Sequence, residues 1–182
     1  MIFDCSSSSW YDAPDLNEGR MRHASIVVNN CVFVIGGINP QSLRPTGSVE
    51  RLELAYSESP AWTLLVTRST LCMRSDASII AASEDEIVVF GGFDHGDTKV
   101  QGYTITNTGI VFDVNSVTAK PILGQSSDLR FMSRTQTQTV SDGKCITLGC
   151  DNHCALQLIQ LTMKGPDQYE ITSDQEFGPA DD

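Results

Sequence analysis

The chain is a succession of short apolar strands separated by polar turns. The segment 24–28 is followed by a polar turn and by the apolar run 32–35, which ends at Gly36-Gly37. The same order returns at 77–80 and 87–90, which ends at Gly91-Gly92, and in altered form at 135–140 and 145–150. Each hairpin is followed by a segment of alternating apolar and polar residues, at 48–54, 99–105 and 155–161. Alternation with a period of two is typical of strands with one better buried face. The pattern therefore predicts an all-β chain.

An arginine precedes each hairpin, and an aromatic residue follows each alternating segment. The arginines are Arg22, Arg74 and Arg134, and the aromatic residues are Trp62, Phe112 and Tyr169. We expect each aromatic residue to open a fourth strand and to fill the space between neighbouring sheets. Paired glycines at a strand end allow backbone conformations that other residues rarely adopt. A four-stranded unit that recurs about every 50–60 residues indicates sheets stacked around an axis, because one such sheet cannot bury both of its faces.

Residues 10–62 resemble a kelch repeat, and residues 63–112 resemble a second one in which Phe112 replaces the usual tryptophan. Residues 113–172 resemble a third more loosely, because Gly149-Cys150 stands in place of the double glycine. The resemblance implies a partial kelch-type β-propeller of about three and a half four-stranded antiparallel blades. It assigns structural roles to Arg22, Gly36, Gly37, Trp62, Arg74, Gly91, Gly92, Phe112, Arg134 and Gly149.

The predicted propeller segment covers residues 1–172, with units at about 1–19, 20–66, 67–127 and 128–172. Residues 1–5 are the expected third strand of the first unit, and Trp10 opens its fourth. The acidic segment 173–182 is expected to be a flexible tail. Closed propellers of the kelch type usually have about five to seven blades. We therefore expect a longer ring, a partner that completes the ring, or an open array. Strand pairing with a partner or a second copy is expected at the open blade ends, near residues 1–6.

The net charge of −11 changes the list of expected partners. Binding to nucleic acid or to an anionic membrane surface depends on clustered lysine and arginine, so neither partner is expected. No apolar stretch is long enough to insert into a membrane, and the N-terminus lacks the features of a secretory signal. The six cysteines are therefore expected to be reduced, in a cytoplasmic setting.

The densest group of possible metal ligands contains Cys145, Cys150, His153 and Cys154. Their spacing is not a common zinc pattern, so we predict no metal and no cofactor, with a metal site kept as the alternative. None of the three histidines lies beside a nucleophile in a recognisable catalytic pattern. The chain is therefore predicted not to be an enzyme. The alternative is a propeller enzyme of the oxidase or sugar epimerase type, because some kelch-like propellers have these activities.

Loops on one face of the predicted propeller are the expected binding surface. In a propeller, the loops between the second and third strands emerge on the same face as the connections between units, and loops on a rigid scaffold often carry function. The sequence predicts a non-catalytic protein–protein interaction module, a scaffold or subunit of a larger assembly. An acidic peptide is a suitable partner because arginine is enriched at interface hot spots. The candidate binding residues are Arg20, Asn39, Gln41, Arg44, Arg68, Asp94, His95, Asp97 and Arg130.

Overall fold

The computed structural model of the chain describes residues 1–54, 59–95, 104–106 and 108–122, together with the backbone of four further strands between 133 and 177. Within these residues every regular element is a β-strand. The described part of the chain has no helix that is long and apolar enough to cross a membrane.

Seventeen strands are present in the described residues. In chain order they are β1 (Ile2–Asp4), β2 (Ser9–Tyr11), β3 (Ala24–Val28), β4 (Cys31–Ile35), β5 (Val49–Glu53), β6 (Thr63–Val66), β7 (Arg74–Ser75), β8 (Ser78–Ala81), β9 (Glu86–Phe90), β10 (Phe93–Asp94), β11 (Thr104–Ile105), β12 (Gly109–Asp113), β13 (Thr118–Pro121), β14 (Ser133–Thr139), β15 (Lys144–Cys150), β16 (Leu156–Gly165) and β17 (Gln168–Phe177).

Three consecutive antiparallel sheets of four strands form the body of the fold. Sheet 1 contains β3, β4, β5 and β6, sheet 2 contains β8, β9, β12 and β13, and sheet 3 contains β14 to β17. The first strand of sheet 2, β8, contacts both β3 and β14, so the first strands of the three sheets are neighbours. A two-stranded hairpin of β1 and β2 precedes these sheets, and β7, β10 and β11 form a small separate sheet. The prediction of an all-β chain built from several antiparallel sheets is confirmed.

The main apolar core lies between sheets 1 and 2. In β3 and β4 every second residue points toward it, with Phe33 only 2% and Ile35 only 1% exposed. Sheet 2 contributes Ile87, Val89, Ile110 and Phe112 from the facing side. The opposite face of sheet 2 is also buried, because Val88 and Phe90 are among the core residues. Sheet 2 therefore has the environment expected of a sheet packed between two others.

The strand order of the second unit corrects one expectation. We expected 99–105 to be its third strand and Phe112 to open its fourth. Instead β12 (Gly109–Asp113) is the third strand, pairing with β9, and β13 is the fourth. Phe112 is completely buried in the core. The residues Thr104–Ile105 pair with β10 in the small sheet instead. The alternation of 99–105 suggested a half-exposed strand, whereas the third strand is the continuous apolar run of β12, which is buried on both faces.

Two other expectations were wrong in part. Trp62 is half-buried and lies outside the core between sheets 1 and 2, and its indole Nε1 donates a hydrogen bond to the Pro14 carbonyl oxygen at 3.0 Å. It therefore holds the segment that enters sheet 1, and Phe33 and Phe112 fill the space between the sheets.

The strand β17 continues to Phe177. The predicted flexible tail therefore does not begin at Ser173, because residues 173–177 pair with β16.

The arginine that the repeat places next to the double glycine is Arg20 in the first unit, and Arg22 does not have this role. Arg20 Nη1 donates to the carbonyl oxygens of Gly36 and Ser48, at 3.0 and 3.1 Å. Arg74 Nη1 donates in the same way to Gly91 and Thr108, at 3.3 and 2.8 Å. The Ser48 and Thr108 carbonyl oxygens also accept from the backbone N–H groups of Gly36 and Gly91, at 3.2 and 2.9 Å. Each guanidinium therefore bridges carbonyl groups at the ends of two neighbouring strands.

Candidate functional site

The connection that enters sheet 1 is held by a buried ion pair. The side chains of Arg20 and Glu50 are both fully buried, and Arg20 Nη2 lies 2.5 Å from Glu50 Oε1. The other carboxylate oxygen of Glu50 accepts hydrogen bonds from the backbone and side chain of Asn17, at 2.7 and 2.9 Å. The backbone N–H of Glu18 donates to Glu50 Oε1 at 3.1 Å. A buried carboxylate is tolerated here because its lone pairs are occupied by these donors.

These hydrogen bonds determine the direction in which the pKa of Glu50 is shifted. Burial opposes its ionisation, but the hydrogen bonds from Asn17, Glu18 and Arg20 outweigh burial, so the pKa of Glu50 lies below its ordinary value. Glu50 is therefore ionised at neutral pH and neutralises Arg20. The expectation that Arg20 is an exposed binding residue was wrong, because its side chain is enclosed by backbone carbonyls and by Glu50.

The second unit repeats this arrangement without the buried glutamate. Arg74 Nη2 donates to the Thr108 hydroxyl at 2.7 Å, as Arg20 does to the Ser48 hydroxyl at 2.8 Å. The position that matches Glu50 is Ile110, and the carboxylate near Arg74 is that of Asp94, at 3.5 Å. Burial lowers the pKa of Arg74, and the charge of Asp94 opposes this effect.

The loop between β4 and β5 is ordered by Asn39. Its side-chain oxygen accepts hydrogen bonds from the backbone N–H groups of Gln41 and Ser42, both at 3.0 Å. Its backbone N–H donates to the Arg44 carbonyl at 2.9 Å, and its carbonyl accepts from Leu43 at 2.8 Å. Asn39 therefore shapes the loop, whereas the side chains of Leu43 and Arg44 are presented to solvent.

A second loop, 67–73, meets the first at Gly47. The Ser69 backbone N–H donates to the Gly47 carbonyl at 3.0 Å. A Cβ atom at position 47 would collide with the Ser69 carbonyl oxygen, so glycine permits this close approach. Between the two loops is a cleft of about 240 Å³, which we call the 44/68 cleft; its lining residues are Glu18, Arg44, Pro45, Thr46, Gly47, Thr67, Arg68 and Met73.

The cleft brings together two of the predicted binding residues, Arg44 and Arg68. Both are exposed, and neither guanidinium has a hydrogen-bond or ion-pair partner among the residues that the structure describes. The carboxylate of Glu18 in the same cleft is already engaged. Its Oε2 accepts hydrogen bonds from the hydroxyl groups of Thr46 and Ser48, at 2.7 and 2.6 Å. The two guanidinium groups therefore carry the positive charge of the cleft, and one oxygen of its carboxylate is occupied by hydroxyl groups.

The other predicted binding residues are placed differently. Asp94 lies near Arg74, and His95 Nε2 is 3.0 Å from the hydroxyl of Ser75, so neither is a free contact at the cleft. Burial lowers the pKa of His95, and the nearby charge of Asp94 raises it. Asp97 and Arg130 lie outside the described residues.

The possible metal ligands cannot be placed together. Cys145 and Cys150 lie on β15, where only the backbone is described, and His153 and Cys154 lie outside the described residues. Elsewhere, among the side chains that are described, no group of three or more possible ligands could hold a metal ion.

Sequence reasoning missed Glu18, Thr46 and Glu50. A signal for one of them is present, since Thr46-Gly47-Ser48 recurs as Thr106-Asn107-Thr108 directly before the third strand of the next unit. In both units the first hydroxyl hydrogen-bonds the second, at 2.9 and 2.8 Å. Glu50 gave no such signal, because a charged residue in an alternating strand normally indicates the exposed face.

Residues 1–126, more than half of the chain, match the sequence profile of a family described as recombination activating protein 2. This family has a kelch-like β-propeller fold, in agreement with the successive antiparallel sheets. The matched range includes sheets 1 and 2 and the whole 44/68 cleft. The kelch-repeat assignment itself and the number of blades stay predictions. No curated protein matches the chain.

Proposed function

The chain belongs to the recombination activating protein 2 family, and on this premise we propose that it is a non-catalytic protein-interaction module. It acts as a scaffold or subunit of a larger assembly that serves recombination, and it binds partners through loops on one face. The observation that carries the proposal is the 44/68 cleft, in which two loops of successive units present two exposed guanidinium groups that have no partner among the described residues. Loops held on a rigid β scaffold are suited to such contacts.

The proposal assigns no catalytic role to the chain. The contact that most resembles a catalytic pair is between Ser75 and His95. Ser75 is only 1% exposed, so its hydroxyl cannot reach a substrate in this conformation. A nucleophile must be accessible as well as hydrogen-bonded to a base. The contact therefore supports a structural role for both residues.

We also propose that the chain reaches recombination substrates through other proteins and does not bind DNA itself. Its net charge of −11 opposes contact with a phosphate backbone.

The cytoplasmic setting stays a prediction, and a recombination role argues against it because the assembly must reach DNA. Microscopy of a fluorescently tagged chain in its native cells distinguishes the two settings.

Cross-linking in cells tests the proposed function. A tagged chain is cross-linked in its native cells, purified under denaturing conditions and analysed by mass spectrometry. We expect cross-links to proteins of a recombination assembly, and cleavage of labelled DNA by the assembly but not by the purified chain. Cross-links confined to the chain itself would contradict the proposal. DNA cleavage by the purified chain would contradict its non-catalytic part.

A further inference from the structure

The 44/68 cleft has the chemistry of a carboxylate-binding site. Guanidinium groups are planar and bind carboxylates through two parallel hydrogen bonds. Arg44 comes from the β4–β5 loop and Arg68 from the connection between sheets 1 and 2, and both line the same cleft. Glu18 lies there as well, but its carboxylate accepts hydrogen bonds from Thr46 and Ser48 and lies 3.8 Å from Arg20. Its charge is therefore partly compensated from within the fold.

An apolar side chain, that of Leu43, directly precedes Arg44 in the β4–β5 loop. Leu43 is 69% exposed, and its φ of 55° lies in the left-handed region that leucine rarely adopts. The hydrogen bond from Leu43 to the Asn39 carbonyl and those around the Asn39 side chain hold this conformation. Backbone strain of this kind is often found at binding sites. An exposed leucine directly before Arg44, outside the lining of the cleft, is suited to a ligand that carries an apolar group next to its acidic groups.

We propose that the occupant of the 44/68 cleft is a short acidic peptide segment of a partner protein, with an apolar side chain next to its carboxylates. The carboxylates bind Arg44 and Arg68, and the apolar side chain packs on Leu43. This inference rests on the proposed function and names the partner chemistry of the same surface. A nucleic acid fits less well, because its regularly spaced phosphates would also meet Glu18 and the field of a chain with net charge −11.

The probe is a fluorescein-labelled peptide of alternating glutamate and leucine, measured by fluorescence polarisation with the full chain. The controls are the same peptide with glutamine in place of glutamate and a single-stranded oligonucleotide of equal charge. We expect the glutamate peptide to bind and both controls to bind at least about tenfold more weakly, a difference of about 1.4 kcal/mol. Binding should weaken as salt is raised, because exposed charges are screened.

Variants separate the roles of the three side chains. Arg44→Gln combined with Arg68→Gln should weaken peptide binding at least about tenfold. Arg51→Gln removes one positive charge outside the cleft and should change binding less than about twofold. Leu43→Asn tolerates the positive φ and removes the apolar contact, so it should weaken binding while the salt dependence is preserved. Thermal unfolding of each variant checks that it folds, and the exposed positions 43, 44 and 68 should leave the midpoint nearly unchanged.

The outcomes are decisive for the cleft. Equal binding of the glutamine peptide, tighter binding of the oligonucleotide, or unchanged binding by the double variant overturns the inference. Failure of the wild-type chain to bind the glutamate peptide overturns it too. Such a failure leaves the proposed function standing if the wild-type chain still cross-links to its assembly. Absence of that assembly counts against the proposed function instead.

Discussion

Arg22 and Asp76 form an ion pair although they lie 54 residues apart, and each occupies the same place in its own unit. Both have a positive φ, 58° for Arg22 and 52° for Asp76. The Asp76 backbone N–H donates to the Arg22 carbonyl at 2.9 Å, and Arg22 Nε donates to Asp76 Oδ2 at 2.7 Å. The Arg22 guanidinium also lies over the ring of Phe93, at 5.3 Å from its centroid. Equivalent turns of sheets 1 and 2 are thus joined directly.

The energy of this pair should be modest, because the Arg22 side chain is 41% exposed. A double-mutant cycle with Arg22→Gln and Asp76→Asn should give a coupling free energy of about 0.5–1 kcal/mol from urea unfolding. High salt should reduce the coupling. A coupling near zero would show that the ion pair does not hold the two units together.

Phe112 should contribute more to stability than Trp62. Its side chain is completely buried between sheets 1 and 2, whereas Trp62 is half-buried outside that core. Phe112→Ala should lower the free energy of unfolding by about 3–5 kcal/mol, through lost burial and the cavity that remains. Trp62→Ala is the comparison and should cost less. Denaturant unfolding measures both losses. A larger loss of unfolding free energy for Trp62→Ala than for Phe112→Ala would contradict the assignment of Phe112 to the core.

Gly36 should not tolerate a side chain. Its φ is 66°, and an added Cβ would collide with the Arg74 carbonyl oxygen. Gly36→Ala should therefore destabilise the fold by about 1–3 kcal/mol from backbone strain alone, with the collision in addition. Gly19→Ala is the matched control, because a Cβ at position 19 has no atom within 4 Å. Equal melting temperatures for the two variants would contradict the close approach of sheet 1 to β7.

The Glu50 carboxylate should make stability depend on pH in the acid range. Its folded pKa lies below the ordinary value of 4.5, so the unfolded chain binds the proton more readily. The stabilisation is therefore fully present above pH 4.5 and is lost as the pH falls through the lower folded pKa. Glu50→Gln should lose about 3–5 kcal/mol at pH 7, because Arg20 stays buried and loses its nearest counter-charge. The variant should also lose less stability than the wild type on acidification. If the curves of unfolding free energy against pH were parallel for the wild type and Glu50→Gln, this role of Glu50 would be excluded.

The sequence predicts the sheets better than it predicts the arginines. Double glycines and apolar hairpins recur clearly, and the structure has sheets at all three places. Arg22 matched the repeat as well as Arg20 did, because the two lie two residues apart and the spacing between units varies. Only the hydrogen bonds to Gly36 and Ser48 distinguish them.

Two residues of the 44/68 cleft could be predicted from the sequence. Loop positions follow from the strand pattern, so Arg44 and Arg68 could be placed on one face. The burial of Arg20 could not be predicted, because it depends on Glu50, which is distant along the chain and lies on a strand whose alternation indicated exposure.

Amide hydrogen exchange tests the central claim, binding through the loop face, most directly. Exchange is measured on the purified chain alone and within its purified assembly. We expect new protection in the loops 38–47 and 67–73, which form the 44/68 cleft. The turns 29–30 and 82–85 lie at the opposite ends of the same hairpins, joined by the hydrogen bond from Asn29 Nδ2 to the Glu84 carbonyl at 2.6 Å, and should not change. Protection at these turns with none at the cleft loops would contradict the account.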